Sequence, residues 1–296
     1  MKFTDSTKGA GALLGAAFTY GCFGLLIREM AVMFGNNAQT AFRFVVAFVL
    51  LGLFALFVKR PVKISRQVLI KTGCLGIAFC GVVLLFTASV NLTKLGNAVF
   101  LLYAGSIITS LVIGTLFFKE KLTAVKIIAI ALSCIGLAMY SSAILALSLG
   151  VVTAILSGVL DGVSNGIRKT LKDIDRSTVL LYQYAFGAAC AVIVLAIAPQ
   201  DAIRTVSVLP ILVGVVFGAL LIVIGNLLLY GFQHFDVNVG TVILATELFF
   251  ASLMGWLFFK EVPTTHEIIG GIVIFAASIV SAVDFKALLK RLHATN

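Results

Sequence analysis

Ten apolar segments, each about 20 residues long, follow one another along this chain with only short polar gaps between them. A helix of that length crosses the hydrocarbon core of a bilayer, and lipid requires every backbone group to pair within the segment. The segments run Gly9–Ile27, Ala38–Val58, Val68–Val90, Gly96–Phe118, Ala124–Ser142, Leu147–Ile167, Thr178–Ala198, Val208–Phe232, Asn238–Phe259 and Glu267–Val283. Pro61, Pro199, Pro210 and Pro263 all fall in gaps or at a segment's first turn, as expected of a residue that breaks helix interiors. Only 11% of residues are charged, against about a quarter in soluble domains. The expected class is an all-α membrane protein with ten transmembrane helices.

The net charge of +10 would suggest nucleic acid in a soluble protein, but no basic stripe with interleaved aromatics lies outside the apolar segments. Sorting by loop explains the charge better. Lys2, Lys8, Lys59, Arg60, Lys63, Arg66, Lys71, Lys119, Lys121, Lys126, Arg168, Lys169, Lys172, Arg176, Lys286, Lys290 and Arg291 fall at the termini and in alternate loops. The opposite loops hold Arg28, Lys94, Arg204 and Lys260. By the positive-inside rule both termini are expected in the cytoplasm. Short loops and the lack of targeting segments suit a bacterial inner membrane. Cys22, Cys74, Cys80, Cys134 and Cys190 sit in apolar stretches with no CxxC pair, and read as small buried hydrophobes.

The block Leu116-Phe117-Phe118-Lys119-Glu120 returns half a chain later as Leu257-Phe258-Phe259-Lys260-Glu261. In the same register Gly114 meets Gly255, Ala104 meets Ala245, Asn97 meets Asn238 and Thr123 meets Thr264. The chain therefore divides into residues 1–143 and 144–296, with five spans in each half. An odd number of spans turns the second half over, so the fold is expected to be two inverted five-helix repeats in one membrane domain. Inverted repeats are typical of secondary transporters, because related halves give a route to inward-open and outward-open states.

These residues resemble the drug/metabolite transporter superfamily, in particular its EamA-type members, over nearly the whole chain. The resemblance rests on Arg43-Phe44 early in the second span, on Phe118-Lys119-Glu120-Lys121-Leu122-Thr123, and on Thr246-Glu247 followed by Gly255, Glu261 and Thr264. Where the family often has Glu-Pro, this chain has Glu247-Leu248, so proline does not supply a kink there. The resemblance implies a cavity between the halves, surrounded by spans one to four and six to nine. Family members carry amino acids, nucleotide sugars, phosphorylated sugars, choline and drugs.

Polar groups inside spans are costly and usually face a cavity or a partner. Glu247, near mid-span, is the leading candidate to hold a cationic amine or a coupling proton; the alternative is a silent packing hydrogen bond. Asp161 lies among Gly158, Gly162 and Gly166, a face suited to close helix packing, with Asn165 one turn on. Arg43 could grip a carboxylate or snorkel to the headgroups. Its repeat counterpart is Gln183. Tyr103 and Ser106 lie one turn apart, Ser106 being the counterpart of Glu247. Tyr20 and Asn226 complete the candidate binding set. With Arg43 as the one basic residue inside a span, a pyrophosphate-bearing substrate is disfavoured. Glu120 and Glu261 read as structural residues of the turns, and Thr264 with Glu267 has capping-box spacing.

No nucleophile–base set, phosphate loop or metal-ligand cluster appears, so neither an enzyme nor a cofactor is expected. The expected partners are a small-molecule substrate and the bilayer, with proton coupling through Glu247 and a monomer or homodimer as the working unit. Two acids against one Arg suit a zwitterion, so the leading expectation is export of an amino acid or related amine. Uptake of a choline-like amine or a drug is the alternative within carriers. A membrane scaffold or lipid-flipping subunit is the alternative outside them.

Overall fold

The computed structural model describes residues 5–140, 148–198 and 203–282. Lys2, Pro199, Lys286, Lys290, Arg291, the span ends at Ser142, Leu147 and Val283, and the 143/144 junction lie outside the described residues. The first half holds α1 (Asp5–Gly21), α2 (Phe23–Ala31), α3 (Asn36–Phe57), α4 (Arg66–Leu92), α5 (Leu95–Leu116) and α6 (Ala124–Tyr140). The second holds α7 (Leu149–Lys169), α8 (Arg176–Ile197), α9 (Val208–His234), α10 (Val237–Leu244), α11 (Glu247–Phe259) and α12 (Thr265–Ala282). Among the described residues the only β pairing is an isolated bridge between Phe34 and Ile203.

Two expected spans are interrupted. At Cys22 the ladder passes through i→i−3 bonds, Cys22 N–H to the Thr19 carbonyl and Leu25 N–H to the Cys22 carbonyl, each 3.2 Å. At Ala245–Thr246 the Thr246 hydroxyl donates to the Ile243 carbonyl at 2.8 Å, occupying a backbone acceptor. Leu248 N–H then bonds the Ala245 carbonyl at 3.1 Å. The helix is thus interrupted just before Glu247, where no proline is available. Counting α1–α2 and α10–α11 as single rods, eight rods among the described residues are long and apolar enough to cross a membrane, and the described parts of α6 and α12 are apolar but shorter.

The contacts sort the connections onto two ends of the bundle. One end joins Arg204 N–H to the Met33 carbonyl, Asn91 to Asn36, and Arg28 to Glu261. The other joins Lys59 to Asp175, Lys126 to Asp236, and Lys169 to Glu120. That alternation is what the loop sorting by charge anticipates.

Close packing centres on α5 and α7. A Cβ added to Gly158 would collide with the Leu102 carbonyl oxygen, and one on Gly105 with the Ile155 carbonyl oxygen. Small residues let the two backbones touch. Gly158→Leu is expected to lower stability by about 1–3 kcal/mol or more, read as a lower melting temperature in detergent. α6 and α12 pair with each other, Gly136 meeting the Gly270 carbonyl, and contribute no side chain to the central cavity. Cys74 and Cys134 correct the expectation of buried cysteines: both are exposed on the bundle surface, where an apolar thiol faces lipid as readily as core.

The repeated block folds alike in both halves. Lys119 and Lys260 both take the left-handed conformation, with φ of 52° and 57°. Glu120 N–H bonds the Gly114 carbonyl at 2.9 Å, and Glu261 N–H the Gly255 carbonyl at 3.1 Å. The capping box before α12 forms, with Thr264 N–H donating to Glu267 Oε2 at 2.7 Å and Glu267 N–H to the Thr264 hydroxyl at 3.3 Å.

Asp175 caps α8 through Thr178 N–H and pairs with Lys59. Burial pushes its carboxyl up, but Lys59 and Thr178 outweigh burial and hold it below the ordinary carboxylate range. A depressed folded-state value means stability that is present above the unfolded value, near 4, and lost as pH falls through the folded one. Asp175→Asn is therefore expected to flatten the acid limb of a melting-temperature profile and to lower the plateau at neutral pH.

Candidate functional site

A narrow, nearly filled cavity, with a volume of only about 30 Å3, lies at the centre of the bundle. Its walls come from α1, α2, α3, α4, α5, α7, α9 and α11. Tyr20, Arg43, Tyr103, Asp161 and Glu247, all candidates from sequence, line it together with Phe79, Thr87 and Phe217. The two broken rods meet beside it: a Cβ on Gly21 would collide with Phe250, just after Glu247. Interrupted helices beside a buried site are a recurrent feature of carriers.

Both carboxylates are held by α5. The Tyr103 hydroxyl donates to Glu247 Oε2 at 2.6 Å, and one turn on the Ser106 hydroxyl donates to Asp161 Oδ2 at 2.6 Å. Asn165 Nδ2 adds a bond to the same Asp161 oxygen at 3.0 Å. The glycine contacts between α5 and α7 bring Ser106 within reach of Asp161, so on α7 close packing and site construction are one feature.

Arg43 does not snorkel. It is buried, and its guanidinium lies 4.3 Å from the centre of the Phe217 ring. Nε donates to the Gln39 carbonyl at 3.1 Å, and Nη2 to the hydroxyls of Thr40 at 3.1 Å and Thr87 at 2.7 Å. Nη1 makes no hydrogen bond among the described residues.

Gln183 and Asn226 are not in this wall. Gln183 is buried on α8 with neither amide atom partnered among the described residues. Asn226 is half-buried on α9. The expectation that Arg43 is the one basic residue within the bundle is also corrected. Arg168, assigned by sequence to a loop, is fully buried in the last turn of α7. Nη1 donates to Asn165 Oδ1 and lies 4.0 Å from Asp161 Oδ1. Asp161, Asn165 and Arg168 follow helical i, i+4, i+7 spacing, a stripe visible in the sequence. Thr87 and Phe217 carried no such signal.

The two ends of the bundle carry matching clamps. At one, Arg28 pairs with Glu261 at 2.7 Å and its guanidinium lies over Phe259 at 4.2 Å. At the other, Lys169 pairs with Glu120 at 2.7 Å and its ammonium lies over Phe118 at 5.3 Å. The second clamp is the stronger. Glu120 Oε1 also accepts from Val237 N–H at 2.8 Å, capping α10 from the other half of the chain. Lys169 and Lys126 both pair with Asp236 there. The turn glutamates are thus more than turn-shaping residues.

Two roomier grooves lie on the outside. One, between α11 and α12, is lined by Phe249, Leu253 and Trp256; the other is lined by Phe34, Phe42 and Val192. Their walls are apolar, which suits lipid chains rather than a polar solute.

A bundle of apolar helices in two similar halves, closed around a buried cavity lined by carboxyl and guanidinium groups, has the architecture of a membrane carrier. The model of the EamA-like transporter family matches twice, over residues 7–142 and 145–283, and the chain belongs to that family. It is accordingly a membrane transporter of the drug/metabolite class. No curated protein matches. A solved structure titled only "Crystal structure of protein" is similar in fold, with a TM-score of 0.70 at 16% identity over 96% of this chain and 98% of the other.

Proposed function

We propose that this transporter is a secondary carrier that exports a small zwitterionic metabolite, an amino acid or related amine, by alternating access. The observation that carries this reading is the opposition of charge in one buried cavity. Glu247 and Asp161 offer carboxylates to an ammonium group, and Arg43 keeps Nη1 for a carboxylate. A group of either sign placed alone in this wall would leave the opposite charge unpaired, and unpaired buried charge is expensive.

Proton coupling follows from the same wall. An arriving ammonium and a proton compete for the Glu247 carboxylate, so loading one releases the other. The halves 1–143 and 144–296 are the rocking units, ten spans in all, with both termini in the cytoplasm of a bacterial cell. The two clamps support alternation, since a carrier of this type must close each end in turn. In this reading the Glu120 end is cytoplasmic and the Arg28 end external.

A thermal-shift screen of the purified protein against amino acids, amines, sugar phosphates and nucleotide sugars tests the substrate class. A ligand that binds the folded state raises the melting temperature by mass action. Zwitterions are expected to stabilise the wild type and to lose that effect in both Glu247→Gln and Arg43→Ala. Stabilisation by anions alone would overturn the reading. Six aromatic residues, Tyr20, Phe23, Phe79, Phe86, Tyr103 and Phe217, also line the cavity. They favour a quaternary amine as the second reading, through cation–π contact. In that case choline would stabilise the protein and Arg43→Ala would leave its effect unchanged.

A further inference from the structure

Arg168 holds an unused edge. A guanidinium has five donors, and Arg168 spends only Nη1, on Asn165 with Asp161 behind it. Nε and Nη2 are buried and have no partner among the described residues. Those two nitrogens form one side of the guanidinium, the pair that grips both oxygens of a carboxylate in parallel. On Arg43 the same side is filled by the Gln39 carbonyl and by Thr40 and Thr87. Arg43 therefore offers a ligand a single nitrogen, whereas Arg168 offers a complete fork.

The guanidinium stands one layer behind the wall of the central cavity, against two residues that line it. Arg168 sits 5.1 Å above the ring of Phe79 and beside Asp161, both of which line the cavity wall. It follows Asp161 by two turns on α7, towards the end of the bundle closed by Glu120 and Lys169. Its side chain has no exposed surface in this conformation, so an anion reaches the fork only when that end of the bundle opens. Desolvated charged donors left without acceptors are costly, and such groups in native folds call for an explanation.

The geometry points to Arg168 as a second anion subsite, whose Nε–Nη2 edge docks the carboxylate of the transported metabolite on the Glu120 side of the cavity. This deepens the zwitterion reading and rests on it for the identity of the cargo. Asp161 occupies the Nη1 side and balances the Arg168 charge when the site is empty. A docked carboxylate takes the free edge, and its amine lies toward Asp161 and Glu247.

Acetate is the smallest probe of that fork. Purified full-length protein is melted while acetate replaces chloride at constant ionic strength, in wild type, Arg168→Lys, Arg168→Met and Arg43→Met. Acetate is expected to stabilise the wild type, and to keep an Arg168-dependent part of that effect in Arg43→Met, which removes the other carboxylate partner. The effect should weaken roughly tenfold in apparent affinity in Arg168→Lys, which keeps charge but loses the fork, and vanish in Arg168→Met. If Arg168→Met does not fold, the Lys variant alone decides. No stabilisation of the wild type, or an equal response in wild type and Arg168→Lys, would overturn the subsite. Amino acids and their decarboxylated amines are run beside acetate. If the amines lose as much as the amino acids in Arg168→Lys, Arg168 only positions Asp161 and the dock is refuted. If amino acids are inert while acetate keeps its Arg168 dependence, the dock stands and the amino-acid reading falls.

Discussion

Glu247→Gln is expected to reduce transport by roughly 30- to 150-fold while leaving the folded protein intact. A hydrogen bond or ion pair to a charged partner is worth about 2–3 kcal/mol beyond its neutral replacement, and each 1.4 kcal/mol is tenfold. The fold should survive because glutamine keeps the shape and its amide oxygen still accepts from the Tyr103 hydroxyl, which donates at 2.6 Å in the native protein. Tyr103→Phe removes only a neutral donor and should cost nearer tenfold. Initial rates in proteoliposomes, with and without an imposed pH gradient, provide the readout. The wild type should respond to the gradient and Glu247→Gln should not. A Gln variant that transports at native rates and still follows the gradient would move the coupling carboxylate to Asp161.

Glu120→Gln is expected to release one end of the bundle selectively. Its carboxylate caps α10 through Val237 N–H and pairs with Lys169. Removing the charge from such a contact weakens it by about 2 kcal/mol, roughly a 30-fold shift in any equilibrium that opens that end. The check uses a chain whose native cysteines are replaced and Val83→Cys placed in the cavity wall. A membrane-impermeant thiol reagent then reports access from each side in vesicles of defined orientation. Glu120→Gln should speed labelling from the cytoplasmic side and slow it from outside. Glu261→Gln, at the matching clamp with Arg28, should do the reverse. Equal labelling in both variants from both sides would mean that the clamps only brace the loops.

Much of the fold was legible because lipid permits so few solutions. Segment length, proline placement and loop charge each report on the solvent; the segments form apolar helices, eight of spanning length and two shorter among the described residues. Glu247, Asp161, Tyr103 and Arg43 were legible for the same reason, since polar atoms are rare enough in spans to be conspicuous. What the sequence hid depends on three-dimensional proximity. Arg168 looked like a loop cation because it stands at the end of its helix, next to Lys169, which does reach the surface region. Whether a terminal arginine turns inward depends on Asn165 and Phe79 being there to receive it. Gln183 was chosen by repeat symmetry with Arg43, but the halves are not chemically equivalent, and its side chain lies behind the wall. The break before Glu247 was missed because no proline marks it.

The left-handed lysines carry one last consequence. Glycine adopts that conformation freely, while a residue with a Cβ is penalised by about 1–2 kcal/mol. Lys119 and Lys260 both bear the penalty, one at each end of the bundle. For a carrier that swaps which end is closed, a strain present at both ends cancels from the comparison of its two orientations. Only unlike features tilt that balance. Among the described residues these include the α10 cap and the Lys126–Asp236 pair on one side, set against the Arg28–Glu261 pair on the other. Under the proposed alternation, a like strain at both ends leaves the resting preference to the contacts in which the two ends differ.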